Sequence, residues 1–444
     1  MNKGLVFLGF LMALIMGIVL FPSGASAAIV GALGFALVIW IIKLKVKDFE
    51  TYNFLINVFL GALLIRVFLA ALIYGFGLEG NFGPDALTYD AFGHGIVEHW
   101  WGGSPDPGID FTKSGWGMPY LVALVYSFTG QSPLAAQVVS CILGAATAVL
   151  AFFTSKEIFN NNKVARYTAI FVSFFPAMIV WTAQLLKEGF IIFFLVLSVL
   201  AALHLLKKFS AGWVIHLLIS LLALSGLRFY IFFMVVVAVF GGFILSSKSS
   251  AESLLSRFAA CVLIAVALAY LGVWRISGDQ IEKYGSLERV QVSREWASKA
   301  ANSGVVKDDT DVTTATGAIS ALPIGLATLL LAPFPWQIGS LTQALTMPEM
   351  ILWWASLPLL ISGLSYTIKT RFKESVSILF FTLILSLAYS LYQGNLGTIY
   401  RQRAQIQVFL LLFIAVGFAL KLEKRENAKI LLKSRRLPQR IPLN

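Results

Sequence analysis

Five carboxylates, Asp85, Asp90, Glu98, Asp106 and Asp110, fall between Asn81 and Lys113 beside two histidines, His94 and His99, and a single lysine. The stretch follows directly on an apolar run of membrane length, so its acidic groups are held against the bilayer. There they can take or polarise the proton of a bound hydroxyl. Pro84-Asp85-Ala86-Leu87-Thr88-Tyr89-Asp90 reads as a helix start, because proline suits the first helical position and aspartate the positive end of the helix dipole. Asp85 and Tyr89 then share one face. Asp90, about 140° further round a helix of 3.6 residues per turn, does not converge with Asp85 and reads as a supporting charge.

Far along the chain, Tyr400-Arg401-Gln402-Arg403 precedes another apolar run. Arg401 and Arg403 stand at headgroup depth, where ordinary interfacial snorkelling accounts for them as well as a ligand role does, and Arg228 lies between two short apolar runs. Lys187 and Glu188 open a further apolar run and are expected to pair with each other. Arg66 sits near the middle of a span, where an unpaired charge costs about 2.5–3.5 kcal/mol; a structural ion pair inside the bundle is the expectation. His94, His99 and Asp90 lack the four clearly spaced ligands of a structural zinc site. No metal is required by the pattern, and a divalent cation held mainly by carboxylates stays open. Trp100, Trp101, Trp116 and Tyr120 suit either stacking on a sugar or prenyl group or an interfacial aromatic belt.

The elements that must position these groups are membrane helices. Of 444 residues, 58% are hydrophobic and 13% charged, and the mean hydropathy is +0.82. Such a chain has too little polar surface to cover a soluble core. Repeated apolar runs near 20 residues call for helices rather than a barrel, so the expected fold class is an all-α polytopic membrane protein with about a dozen spans. These are expected near 4–21, 25–42, 54–76, 134–153, 165–184, 189–206, 213–226, 229–245, 257–275, 349–368, 375–392 and 404–420. The run 318–334 is read as re-entrant or interfacial, because a crossing there would put Lys369, Arg371 and Lys373 on the outer side.

With the N-terminus inside, inner segments collect 22 Lys/Arg against 7 Asp/Glu and outer segments 11 against 15. The net charge of +12 therefore belongs to the inner face and tail, where it meets lipid headgroups or fixes orientation, and nucleic acid is not an expected partner. Cys141 and Cys261 both lie in apolar runs, which excludes a disulfide scaffold. The expected organisation is an N-terminal transmembrane hairpin (1–53) whose start also fits a secretory signal, a catalytic transmembrane unit (54–420) and a basic tail (421–444). Two large outer loops, 77–133 and 276–348, interrupt the catalytic unit. Within the first, 116–130 suits an interfacial helix; in the second, the polar stretch 279–316 reads as a solvated loop.

From Arg66 to about Leu206 the order of features resembles the GT-C membrane glycosyltransferases, which include protein mannosyltransferases and lipid A aminoarabinose transferases. The shared elements are Arg66 in a span, Asp85-Ala86-x-x-Tyr89 in the next outer loop, Pro119-Tyr120 with Phe128-Thr129-Gly130, a small-residue span from Ser132, Phe159-Asn160-Asn161, Phe174-Phe175-Pro176, and Gln184 to Gly189. Tyr400 to Arg403 resembles the family's late arginine element. The chain departs from the pattern at Ala86, where Glu is usual, and at Gln405 and Gln407, where proline is common. No motif match runs from Leu254 to Ser390.

The resemblance implies a GT-C-like fold and transfer of a sugar from a polyprenyl-phosphate carrier to an extracytoplasmic lipid, glycan or protein acceptor, with inversion. It implies Asp85 as base, support from Tyr89, Asp90 and Glu188, and donor-phosphate binding by Arg401, Arg403 and Arg228. Two other readings stay open: a polysaccharide polymerase or ligase centred on Arg289 or Arg294, and a transporter or lipid flippase, which calls for paired halves and broken helices at the midplane.

Overall fold

The computed structural model describes residues 24–111, 113, 115–245, 251–299, 310–339, 341–392 and 394–436. The expected span at 4–21, the signal-like start before residue 24 and the end of the basic tail lie outside them. Among the described residues seven helices are long and apolar enough to cross a membrane, and the rest of the apolar runs form shorter helices. The dozen spans expected from the sequence are not all of spanning length.

Helix α1 (Gly24–Lys45) and α2 (Phe49–Gly75) form an antiparallel pair whose turn is capped by Asp48, its carboxylate accepting from the Thr51 N–H at 2.8 Å. The first large loop contains α3 (Asp85–Trp100) and α4 (Gly117–Thr129), packed on each other. Helix α5 (Pro133–Phe159) starts at a Ser132 cap with proline at its first turn and ends where Asn160 adopts the left-handed conformation. Asn161 then caps α6 (Asn162–Phe174).

The expected span 165–184 is not continuous. Proline at 176 cannot donate to the turn before it, and α6 stops at Phe174; a five-residue helix, Pro176–Val180, and irregular backbone follow before α7 (Lys187–Lys207). Broken backbone inside a bundle must find donors within the protein. Arg66 supplies them: its guanidinium, fully buried, donates to the carbonyls of Ser173 and Ala62, both at 2.9 Å, and to Thr182 Oγ1 at 2.8 Å, with longer contacts to the Val172 and Met178 carbonyls. The ion pair expected for Arg66 is thus replaced by carbonyls at a helix break.

Helices α8 (Ala211–Leu227) and α9 (Phe229–Leu245) meet at Arg228. Helix α10 (Ala251–Tyr270) leads through Gly272 into α11 (Val273–Tyr284) and α12 (Leu287–Lys299). Much of 279–316, read as a solvated loop, is therefore helical. Helix α12 rests on the segment around Tyr392 and Gly394 through Ser293 Oγ to Tyr392 OH (3.2 Å) and Ser298 Oγ to the Gly394 carbonyl (3.3 Å).

Helix α13 (Ala315–Leu331) has 17 residues, packs on α15 (Phe372–Tyr392) and α16 (Leu396–Arg436), and stops among them. A helix ending inside a bundle leaves its last carbonyls without partners. Here each is met: Thr328 by the Ala332 N–H, Leu330 by Trp353 Nε1 (2.7 Å) and Leu331 by Trp354 Nε1 (3.1 Å), both indoles on α14 (Met347–Thr370), while Arg403 reaches Leu329 and Ala332. The run 318–334, read as re-entrant or interfacial, thus holds most of a 17-residue helix that ends among its neighbours. Helices α5, α7 and α16 form the most enclosed part of the bundle.

Candidate active site

Four chain segments far apart in sequence meet at one end of the bundle: the start of α3, the start of α7, the α8–α9 junction and the start of α16. Their meeting agrees with the alternating direction of the helices. Gly83 lets the loop ahead of α3 press onto the segment before α7, since a Cβ there would stand 2.8 Å from Gln184 Oε1 and 3.0 Å from Leu186. On the other side, Gly115 takes φ +92°, a conformation that favours glycine, and lies against the Lys187 ammonium and the Leu227 carbonyl.

Asp85, first residue of α3, accepts a hydrogen bond from Arg401 Nη1 at 2.9 Å. Arg401 Nε lies 3.3 Å from Glu188 Oε1, which also accepts from Arg228 Nη2 at 3.2 Å. Arg228 Nη1 donates to Tyr389 OH at 3.3 Å, and that hydroxyl donates to Gln405 Oε1 at 2.6 Å. A relay of alternating charge thus runs from Asp85 through Arg401, Glu188 and Arg228 into the bundle. Side-chain exposure in the relay drops from 41% at Asp85 and 16% at Arg401 to 1% at Glu188 and 3% at Arg228. Only its first two members are open to an incoming molecule.

Lys187 is buried and sits near Asp85, Glu188, Arg228 and Arg401. It does not make the expected pair with Glu188, whose carboxylate is taken by the two arginines; among the described residues no acceptor is within hydrogen-bond reach of its ammonium. Two arginines and a buried lysine therefore surround two carboxylates. The α7 N-terminus adds its positive dipole end, because Leu186 supplies no side-chain cap. The cluster can hold one further anion.

Burial pushes the Asp85 carboxyl up, but Arg401, Lys187 and Arg228 outweigh it and hold the group below the usual carboxylate value. Tyr89, one turn along α3 and 8% exposed, is pushed the other way by burial and by Asp85 and Glu188, so it stays a neutral phenol.

Asp90 lies apart from this cluster. It accepts from Tyr126 OH at 2.6 Å and from Gln131 Nε2 at 3.3 Å, which ties α3 to α4. The histidines do not converge on it: His94 pairs with Glu98 (3.2 Å) and His99 contacts the Ser104 carbonyl (3.1 Å). Arg403 also stands outside, a correction to its expected role at the donor phosphate. Fully buried, it donates to the Ala332 carbonyl at 2.6 Å and lies 4.0 Å from Glu349, itself bonded by Tyr400 OH. Its place two residues beyond Arg401 turns it about 200° away, into the end of α13. Arg289 is exposed, and Arg294 is buried against the Thr310 carbonyl (3.4 Å).

Tyr389 and Gln405 joined the network without being expected there. For Gln405 a signal existed, a polar run from Arg401 to Gln407 inside an apolar helix; for Tyr389, an aromatic residue in an aromatic-rich span, there was none.

Residues 113–274 match the family described as dolichyl-phosphate-mannose-protein mannosyltransferase; the match contains Lys187, Glu188 and Arg228 and excludes Asp85 and Arg401. No curated protein sequence matches the chain. Among solved structures, the fold is similar to that of the archaeal oligosaccharyltransferase AglB from Archaeoglobus fulgidus, solved with an inhibitory peptide and a dolichol-phosphate, with a TM-score of 0.51 and 11% identity. That similarity covers 89% of this chain and 53% of AglB, so the chain spans about half the length of that relative. Residues 113–274 are thus similar to that mannosyltransferase family, and the chain as a whole is similar in fold to the archaeal oligosaccharyltransferase.

Proposed function

We propose that the chain is a glycosyltransferase that moves a sugar from a polyprenyl-phosphate carrier to a hydroxyl acceptor at the extracytoplasmic face. The observation that carries this reading is the gathering of Arg401, Arg228 and Lys187 around Asp85 and Glu188 at the uncapped start of α7. A lipid phosphate fits there, within reach of a single open carboxylate. AglB was solved with a dolichol-phosphate, which supports the same class of donor.

In the reaction the acceptor oxygen attacks the anomeric carbon as the bond from that carbon to the phosphate oxygen breaks, so the configuration inverts. The acceptor proton passes to Asp85, and the phosphate leaves with the bonding electrons. Its growing charge is met by Arg401 at the open end of the relay and by Arg228 and Lys187 behind it. An aspartate bound to a guanidinium is a weak base. Donor phosphate drawing Arg401 toward itself loosens the Asp85 pair and raises the basicity of the carboxylate when the substrate arrives. Glu188, nearly closed off, holds Arg401 and Arg228 in place; Tyr89 closes the wall beside Asp85.

The test is Asp85→Asn in the full-length protein in membranes, followed by labelled sugar transfer from lipid carrier. Transfer is expected to fall on the order of 10²- to 10⁴-fold with protein levels unchanged. Undiminished transfer would remove Asp85 from the reaction.

A further inference from the structure

The relay that enters the bundle from Asp85 closes on itself. Arg401 and Gln405 stand four residues apart on α16, about one helical turn. Every other step between them is a side-chain contact: Arg401 Nε to Glu188 Oε1 (3.3 Å), Glu188 Oε1 to Arg228 Nη2 (3.2 Å), Arg228 Nη1 to Tyr389 OH (3.3 Å) and Tyr389 OH to Gln405 Oε1 (2.6 Å). The ring joins α7, the α8–α9 junction, α15 and α16, and Asp85 is attached to it from outside through Arg401. The proposed chemistry gives roles to Arg401, Glu188 and Arg228. It leaves Tyr389 and Gln405, 2% and 0% exposed, without one.

Hydrogen-bond chemistry sets the direction of the closing steps. A phenol has one proton to give and lone pairs that accept. Tyr389 gives its proton to Gln405, so its lone pairs turn to Arg228; a proton pointing at the guanidinium would repel it. Glu188 then fixes one terminal nitrogen of Arg228 and Tyr389 the other, which stops the guanidinium turning in its own plane. The Tyr230 ring lies over its face, 5.7 Å from Cζ. Arg66 and Arg403, by contrast, are held by backbone carbonyls that the helix ends leave open in any case. Holding Arg228 takes two polar side chains from membrane-spanning helices, where such groups are costly. Charge balance needs Glu188 alone; Tyr389 and Gln405 add direction.

We infer that Tyr389 and Gln405 are positioning residues: through the closed ring they hold the Arg228 guanidinium in one direction and at one spacing from Arg401, so that a lipid phosphate meets both cations. The inference rests on the proposed reading for the phosphate, and it adds that the site's geometry is set from α15 and α16, behind the charges.

Full-length protein in maltoside micelles, titrated by calorimetry with farnesyl phosphate and with farnesol, which has the same chain without the charge, tests it. Wild type is expected to favour the phosphate. Tyr389→Phe should reduce that preference about tenfold with farnesol affinity unchanged. Gln405→Met should reduce it to a smaller degree, and the double variant should lose no more than Tyr389→Phe alone, because the two residues act on Arg228 in series. Tyr392→Phe, three residues further along the chain with its hydroxyl on Ser293, should keep the wild-type preference. An unchanged preference in Y389F and Q405M, equal loss of phosphate and alcohol binding, or additive losses in the double variant would each overturn the inference, as would a wild type that does not distinguish the two ligands. Q405M decides the matter if Y389F does not fold. If Y389F loses the preference while D85N transfers sugar normally, the positioning role stands and the assignment of Asp85 falls. If D85N fails to transfer while Y389F and Q405M keep the wild-type preference, the reverse holds.

Discussion

Arg401 and Arg403 are the same residue type, two positions apart on one helix, and they do opposite things. Arg401 is partly open, and its partners are carboxylates, Asp85 and Glu188. Arg403 is closed off, and its strongest contact is a carbonyl at the end of a helix that stops inside the bundle. About 200° of helix rotation separates them, and that rotation decides which one can meet a substrate. An arginine near a membrane surface is therefore a functional candidate only once its partners are known. A guanidinium sharing carboxylates can release them for an anion; one satisfying orphan carbonyls has nothing to release. Arg66, holding the Ser173 and Ala62 carbonyls at the Pro176 break, belongs with Arg403.

The contrast between the two arginines is expected to be largest in stability. Arg403→Ala should cost about 3–5 kcal/mol, because it strands buried Glu349 and the carbonyls at the end of α13; a lowered melting temperature or loss of extractable protein checks this. The double change Arg403→Leu with Glu349→Gln should recover part of it. Arg401→Ala should leave folding nearly intact and reduce transfer on the order of 10²-fold. A melting curve and a transfer assay on the same preparation separate the two arginines; similar profiles in both would erase the distinction drawn between them.

The pH dependence divides them again. Asp85 is held below its usual value, so its charged form is favoured above the unfolded pKa of about 3.9 and is lost only as pH falls below that. Transfer read as kcat/KM, which reports the free enzyme, should therefore stay level from neutral pH to about 4 on its acidic side. Arg401→Gln removes the largest opposing charge and leaves burial less opposed, so the acid limb should move to higher pH. A charge-removing change at Arg403 should not move it. The smallest expected effect is Tyr126→Phe, which removes the hydrogen bond to Asp90 and should cost about 0.5–1.5 kcal/mol with transfer unchanged, read by thermal melting beside the same assay.

Much of this was legible in advance where the physics is local. Pro84 followed by Asp85 reads as a helix start, and the helix begins there; the separation of Asp90 from Asp85 follows from helical rotation alone. The turn at Asn160 and Asn161 and the break at Pro176 rest on left-handed tolerance, capping and a missing N–H. What failed was partner choice. Lys187 beside Glu188 suggested a local pair, yet neighbours in sequence on a helix start do not face each other, and two arginines from distant helices reached the carboxylate first. Arg66 was expected to find a carboxylate, but a broken helix offers carbonyls that no composition or periodicity reveals.

The solvent and the class of structure follow from the amino-acid order without any fold: apolar runs, charge asymmetry and scarce polar surface require membrane helices, because backbone groups in hydrocarbon must bond within their own segment. The same order states which residues carry charge at the ends of those helices. That residues 85, 188, 228 and 401 share one cluster while 90 and 403 do not was left to the folded bundle. Such meetings depend on helix rotation and on which chain ends inside the bundle lack partners, and both are settled by packing among segments hundreds of residues apart.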